Sequence, residues 1–125
     1  MLRLGILAST RATDMQALID AISSKKLNAT ISVVISNKQD AYALERARKH
    51  GIKAVFVDSK GKDRESYDKE IAKELDKNNV GLTLLIGYMR FLSPWFVSKY
   101  RNKVINIHPS LLPKYAGGMD MDVHA

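Results

Sequence analysis

Cysteine is absent from this chain. No disulfide framework and no thiolate metal site can form, and a reducing compartment, the cytoplasm, is the expected location. Long apolar runs are missing as well: nothing approaches the roughly 20 apolar residues that a membrane-spanning helix requires. The apolar start Leu2 to Ala8 carries Arg3 within it and lacks a basic leader, so it does not read as a signal peptide, and no membrane partner is expected. Basic residues outnumber acidic ones, giving a net charge of +7, but the lysines and arginines are scattered, mixed with acids and not interleaved with aromatics. That pattern describes a solvated basic surface that attracts small anions, and no nucleic-acid partner is expected. Internal repeats and low-complexity stretches are also absent.

With 125 residues, 46% of them hydrophobic and 26% charged, the composition is that of one globular domain, residues 1–125. Apolar, β-branched runs alternate with helix-period segments, the signature of βαβ units around a parallel sheet. The expected strands are Leu2 to Ala8, Thr30 to Ser36, Ala54 to Val57, Leu82 to Gly87 and Val104 to Ile107. Met15, Leu18, Ile19 and Ile22 form one helical stripe starting near Thr13, which with Gln16 matches a capping box. A second helix, Ala41 to His50, should stop at Gly51, and Tyr67, Ile71 and Leu75 mark a third. Ser93-Pro94 reads as an N-cap with proline at the first helical position of a short helix through Tyr100.

Right-handed crossovers would bring the strand C-termini to one edge, where ligands bind in open α/β sheets. Three segments fall there. The loop Ser9 to Asp14 opens a helix whose free N–H groups suit a phosphate, yet glycines are missing: Ala12 resists positive φ, and Asp14 adds a like charge. On its own the loop reads first as an ordinary capped βα turn. In Gly87-Tyr88-Met89-Arg90, Arg90 can grip a carboxylate or phosphate, whereas Met89 and, just beyond it, Phe91 read on local pattern as packing residues. In Asn106-Ile107-His108-Pro109-Ser110-Leu111-Leu112-Pro113, Asn106 and His108 share a strand face, and Pro109 keeps His108 extended. Such a pair can stabilise an oxyanion and move a proton, or can be two satisfied strand-end polar residues. His50 suits a helix end, and Asp120, Asp122 and His124 lie in a glycine-preceded tail, so no metal site is expected.

The ordered set Ser36-Asn37-Lys38 with Leu44-Glu45-Arg46-Ala47, then Gly87 to Pro94, then Asn106 to Pro113, resembles the folate-dependent formyltransferase family. The resemblance implies a Rossmann-like α/β fold with a mostly parallel sheet and helices on both faces. Asn37 to Arg46 and Gly118 to His124 look most like the branch that formylates glycinamide ribonucleotide in purine synthesis, although relatives acting on methionyl-tRNA or hydrolysing formyltetrahydrofolate share the Asn-x-His chemistry. It implies 10-formyltetrahydrofolate as co-substrate and glycinamide ribonucleotide as acceptor. Asn106 and His108 match the catalytic Asn and His. Arg64, Met89, Arg90 and Leu92 match folate-binding positions. Thr10, Arg11, Ala12, Thr13 and Asp14 match the substrate-phosphate loop, with Ala12 where the family usually has glycine, and Pro109 and Ser110 match the substrate cleft.

The family's third catalytic residue, an Asp, would fall beyond Ala125. The resemblance therefore implies a C-terminally truncated domain whose lone activity is in question, and whose partner would be a second copy or a complementing C-terminal chain. A non-catalytic folate- or nucleotide-binding protein is the rival reading.

Overall fold

The computed structural model describes residues 1–107 and 121–123. In chain order the elements are β1 (Leu2–Ala8), α1 (Thr13–Ser23), β2 (Ala29–Ser36), α2 (Tyr42–Lys49), β3 (Ala54–Phe56), α3 (Arg64–Lys77), β4 (Leu82–Leu85), α4 (Pro94–Lys99), β5 (Val104–Ile107) and β6 (Met121–Val123). They form one six-stranded sheet in the order β3-β2-β1-β4-β5-β6. The first five strands run parallel, and β6 pairs antiparallel with β5.

β1 lies inside the sheet and is buried from Leu4 to Ala8, because a parallel sheet is covered by helices on both faces. Its alternating side chains feed two cores. Leu4, Ile6 and Ala8 pack with Leu18 and Ile19 of α1 and Leu44 of α2. Leu7, with Val33 and Ile35 of β2, packs with Tyr67, Ile71 and Leu75 of α3 and Phe96 of α4. Each large side chain so buried contributes about 1.5–3 kcal/mol, which outweighs the polar character of the outer face of α3. Gly5 allows the end of α3 to come close: a Cβ there would sit 2.8 Å from Leu75 Cδ2 and 2.9 Å from Val80 Cγ2.

The expected helix stops and starts largely hold. Gly51 takes φ 68° after α2, and the Ser93 hydroxyl accepts from the Phe96 N–H with Pro94 opening α4. The capping box at Thr13 does not form. Thr13 is already helical, Ala12 occupies the N-cap position in the left-handed region (φ 51°, ψ 52°), and no side chain caps α1. The tight exit from β1 requires that left-handed step, so Gln16 turns away to donate to Asp20 and accept from Arg46. A sixth strand joins the expected five. Three residues, Met-Asp-Val, are too short for an alternation to register in sequence.

Candidate functional site: the strand-end edge

The sheet order switches direction at β1, which has β2 on one side and β4 on the other. This is the switch point where open α/β sheets form a crevice. Two loops meet there. The Ser9 N–H donates to Gly87 O at 3.0 Å, and the Ile86 N–H to Leu7 O at 3.0 Å. The buried Ser9 hydroxyl donates to Asn37 Oδ1 at 2.6 Å and accepts from the Met89 N–H at 2.8 Å. One side chain thus ties together the ends of β1, β2 and β4. Gly87, at φ 60°, lies so close to Thr10 that a Cβ would run into the threonine hydroxyl.

On one side of this junction is a cavity of about 300 Å³ lined by Thr10, Arg11, Ala12, Thr13, Asp14 and Gly87. All five residues expected in the phosphate loop therefore share one hollow at the start of α1. Burial raises the Asp14 carboxyl above the ordinary aspartate range. Ala12 adopts the positive φ that an alanine resists, so the loop keeps a glycine-like turn without glycine.

On the other side a cavity of about 340 Å³ is lined by Leu85, Tyr88, Arg90, Phe91, Leu92, Val97 and Asn106. Arg90 and Leu92, from the loop after β4, come together here with Asn106 of β5. The Arg90 guanidinium lies 4.4 Å from the centroid of the Tyr67 ring, and its Nε is buried without a hydrogen-bond partner. The Tyr88 hydroxyl is buried and unpartnered too, and burial pushes its pKa upward. Tyr67 donates to Val57 O at 2.8 Å, and burial pushes it up to about 12. Asp68, 1% exposed, accepts from the Ser93 N–H at 2.7 Å and so anchors the start of α4 beneath the cavity.

Arg64 sits at the rim with its guanidinium 5.9 Å from the centroid of the Phe91 ring. Met89 and Phe91 are not core residues, as local pattern suggested: they are 70% and 81% exposed. Once Ser9 fixes the Met89 backbone at the sheet edge, the following side chains run along the mouth of the cavity, outside the two cores. His108, Pro109 and Ser110 lie outside the described residues, as do Asp120 and His124, while Asp122 is opposite Asn106 in the β5–β6 register. Sequence reasoning took Ser9 only as the first residue of the phosphate-suited loop, gave no role to Asp68, and took Tyr67 for a helix-stripe residue alone. A hydroxyl directly after a central strand and an acid within the buried stripe of α3 were the available signals.

Residues 2–123 match the sequence profile described as formyl transferase. The chain belongs to that family. It is 46% identical over 113 residues to the phosphoribosylglycinamide formyltransferase of Escherichia coli (strain K12), covering 90% of this chain and 53% of that protein. Among solved structures, glycinamide ribonucleotide transformylase 1 from Symbiobacterium toebii superposes with a TM-score of 0.83 at 38% identity, covering 92% of this chain and 55% of that one. The phosphoribosylglycinamide formyltransferase from Coxiella burnetii gives a TM-score of 0.82 at 41% identity, covering 91% and 54%. The chain thus spans about half the length of these bacterial relatives. Among the described residues no helix is long and apolar enough to cross a membrane, and no group of three or more His, Cys, Asp or Glu side chains could hold a metal ion.

Proposed function

We propose that the strand-end edge is the reactant-binding half of a formyl-transfer site, taking 10-formyltetrahydrofolate in the Arg90–Asn106 cavity and glycinamide ribonucleotide against the Thr10–Asp14 loop. One observation carries this reading: two cavities share the junction at Gly87 and Tyr88, one lined by the β1 loop and the other by Asn106. A transferase needs that arrangement, with one hollow for each reactant and a common wall where they meet.

The residues present fit a reduced folate. The cavity walls are largely apolar, and the two buried, unpartnered polar atoms, Tyr88 Oη and Arg90 Nε, suit a flat heterocycle with polar edges. The bound folate would supply the formyl carbon that the acceptor amine attacks. Asn106, half-buried at the end of β5, would direct its amide N–H at the oxygen on which charge develops. His108, two residues on, would take the proton lost by the amine and deliver it to the folate nitrogen, which departs as its bond to the formyl carbon breaks. The β1 loop, with its basic surroundings, would hold the phosphate of the acceptor.

The test is formyl transfer by the purified chain, followed spectroscopically, together with folate binding by titration calorimetry. Arg90→Ala should weaken folate binding, and Asn106→Ala should remove turnover while leaving that binding in place. Folate binding that Arg90→Ala leaves unchanged would sink the assignment of the cavity; turnover that survives Asn106→Ala would sink the role of Asn106.

A further inference from the structure

The mouth of the phosphate loop has a second wall, built by α2. The Ala43 N–H donates to Thr10 O at 3.2 Å, which docks the first turn of α2 on the loop. Tyr42 stands beside that contact, and three cations converge on its ring: Arg46 at 5.0 Å, Lys49 at 5.1 Å and Arg11 at 5.2 Å from the centroid. Arg11 comes from the loop itself and the other two from α2. Arg46 is held by neutral acceptors, Arg11 O and Gln16 Oε1, and Lys49 donates to Tyr42 Oη at 2.8 Å. Among the described residues, none of the three lies within ion-pair distance of a carboxylate.

Three like charges gathered on one ring repel one another, and the quadrupole of a tyrosine offsets only part of that. A dianion placed among them would relieve the repulsion and find planar, two-pronged donors in the guanidinium groups. The local potential already leaves its mark on the ring: Tyr42 titrates below the usual tyrosine range, first because Lys49 donates to it and then through the charges of Lys49, Arg46 and Arg11.

We infer that Arg11, Arg46 and Lys49, mounted on Tyr42, form a cationic clamp for a phosphate monoester dianion at the rim of the β1–α1 loop. This deepens the proposed function and rests on it for the identity of the ligand. Recognition would then come from side-chain charge, in a loop whose Ala12 and Asp14 make a poor backbone cradle. Arg11 and Arg46 become specificity-determining residues, and the clamp discriminates for a phosphorylated acceptor over an unphosphorylated one.

The probes are inorganic phosphate and ribose 5-phosphate, titrated calorimetrically into the whole chain at low and at high ionic strength. Ribose 5-phosphate should bind at least as tightly as inorganic phosphate, and salt should weaken both. Arg11→Ala and Arg46→Ala should each weaken binding by about tenfold, the scale of one charge-assisted hydrogen bond. Arg11→Lys should retain part of the affinity, which separates lost charge from a disturbed loop. Lys73→Ala removes an exposed charge on α3 and should change nothing. Arginine variants that bind phosphate normally would overturn the clamp, as would an equal loss in Lys73→Ala, and binding of inorganic phosphate alone would overturn its assignment to a monoester. These titrations need no turnover, so a chain that binds ribose 5-phosphate through Arg11 yet binds folate no more weakly in Arg90→Ala refutes the proposed folate cavity and leaves the clamp standing.

Discussion

Gly87→Ala tests whether the two loops of the site can approach each other only because a side chain is missing. Gly87 occupies φ 60°, where an L-residue carries roughly 1–2 kcal/mol of strain. The added methyl group would also collide with the Thr10 hydroxyl, and overpacking of this kind costs about 1–3 kcal/mol. The gain from a stiffer unfolded chain, about 0.4–1 kcal/mol, offsets part of this. The net expectation is a loss of about 2–4 kcal/mol. Thr10 is exposed, and its hydroxyl makes only a long contact, 3.4 Å, with the Ala12 N–H, so Thr10→Ala alone should cost about 0.5 kcal/mol or less. In the double variant the collision disappears and the backbone strain stays. The cycle should therefore show a favourable coupling of about 1–2 kcal/mol. Urea denaturation followed by circular dichroism reads all four proteins, provided the m-value is unchanged. Additive losses would mean that Thr10 simply rotates away. A loss under about 0.5 kcal/mol in Gly87→Ala would refute both parts of the reasoning, strain and collision.

Other perturbations probe the same edge. Ser9→Ala leaves the Met89 N–H without its 2.8 Å acceptor and should cost about 1–3 kcal/mol in a denaturation experiment; a neutral result would remove Ser9 as the tie between loops. Tyr67 has a folded pKa raised by burial to about 12 from an ordinary 10, so its stabilisation is complete below pH 10 and is lost as pH rises from there through about 12. Tyr67→Phe should flatten the fall in stability across that alkaline window, and an unchanged pH profile would show that Tyr67 does not titrate there. Asp14→Asn removes an anion from the lining of the phosphate-loop cavity and should tighten ribose 5-phosphate binding several-fold by calorimetry. Weaker binding would give Asp14 a direct role in holding the ligand.

What sequence disclosed was whatever depends on local period and punctuation. Buried β-branched runs announced five strands, and Gly51 and Ser93-Pro94 marked helix ends, because those signals depend on a few adjacent residues. The formyltransferase motifs likewise placed Arg90, Leu92 and Asn106, which do line one cavity. What stayed hidden was long-range. Ser9 meets Asn37 and Met89, the latter 80 residues away, and no spacing rule connects them. Met89 and Phe91 looked like packing residues because a Met-Arg-Phe-Leu run is apolar at alternate positions, but the loop after β4 has no sheet or helix to press those side chains into a core. Thr13 and Gln16 satisfied the capping-box pattern. The left-handed turn at Ala12 decided the outcome, and a turn that an alanine must be forced to adopt is not advertised by its sequence.

The placement of the two cavities follows from strand order more than from any one residue. Because β1 sits between β2 and β4, the chain leaving β1 bends toward α1 and the chain leaving β4 bends toward α4, and a gap opens between them. Ser9 fixes the floor of that gap, and Gly87 lets its walls close up on Thr10 at the junction. The next residue, Tyr88, already faces the second cavity. Two ligands lodged in these hollows would lie on either side of the Gly87–Tyr88 backbone. A single ligand would need only one of these hollows. The pair, with Asn106 facing the second one at the end of the neighbouring strand, is what favours group transfer over simple binding.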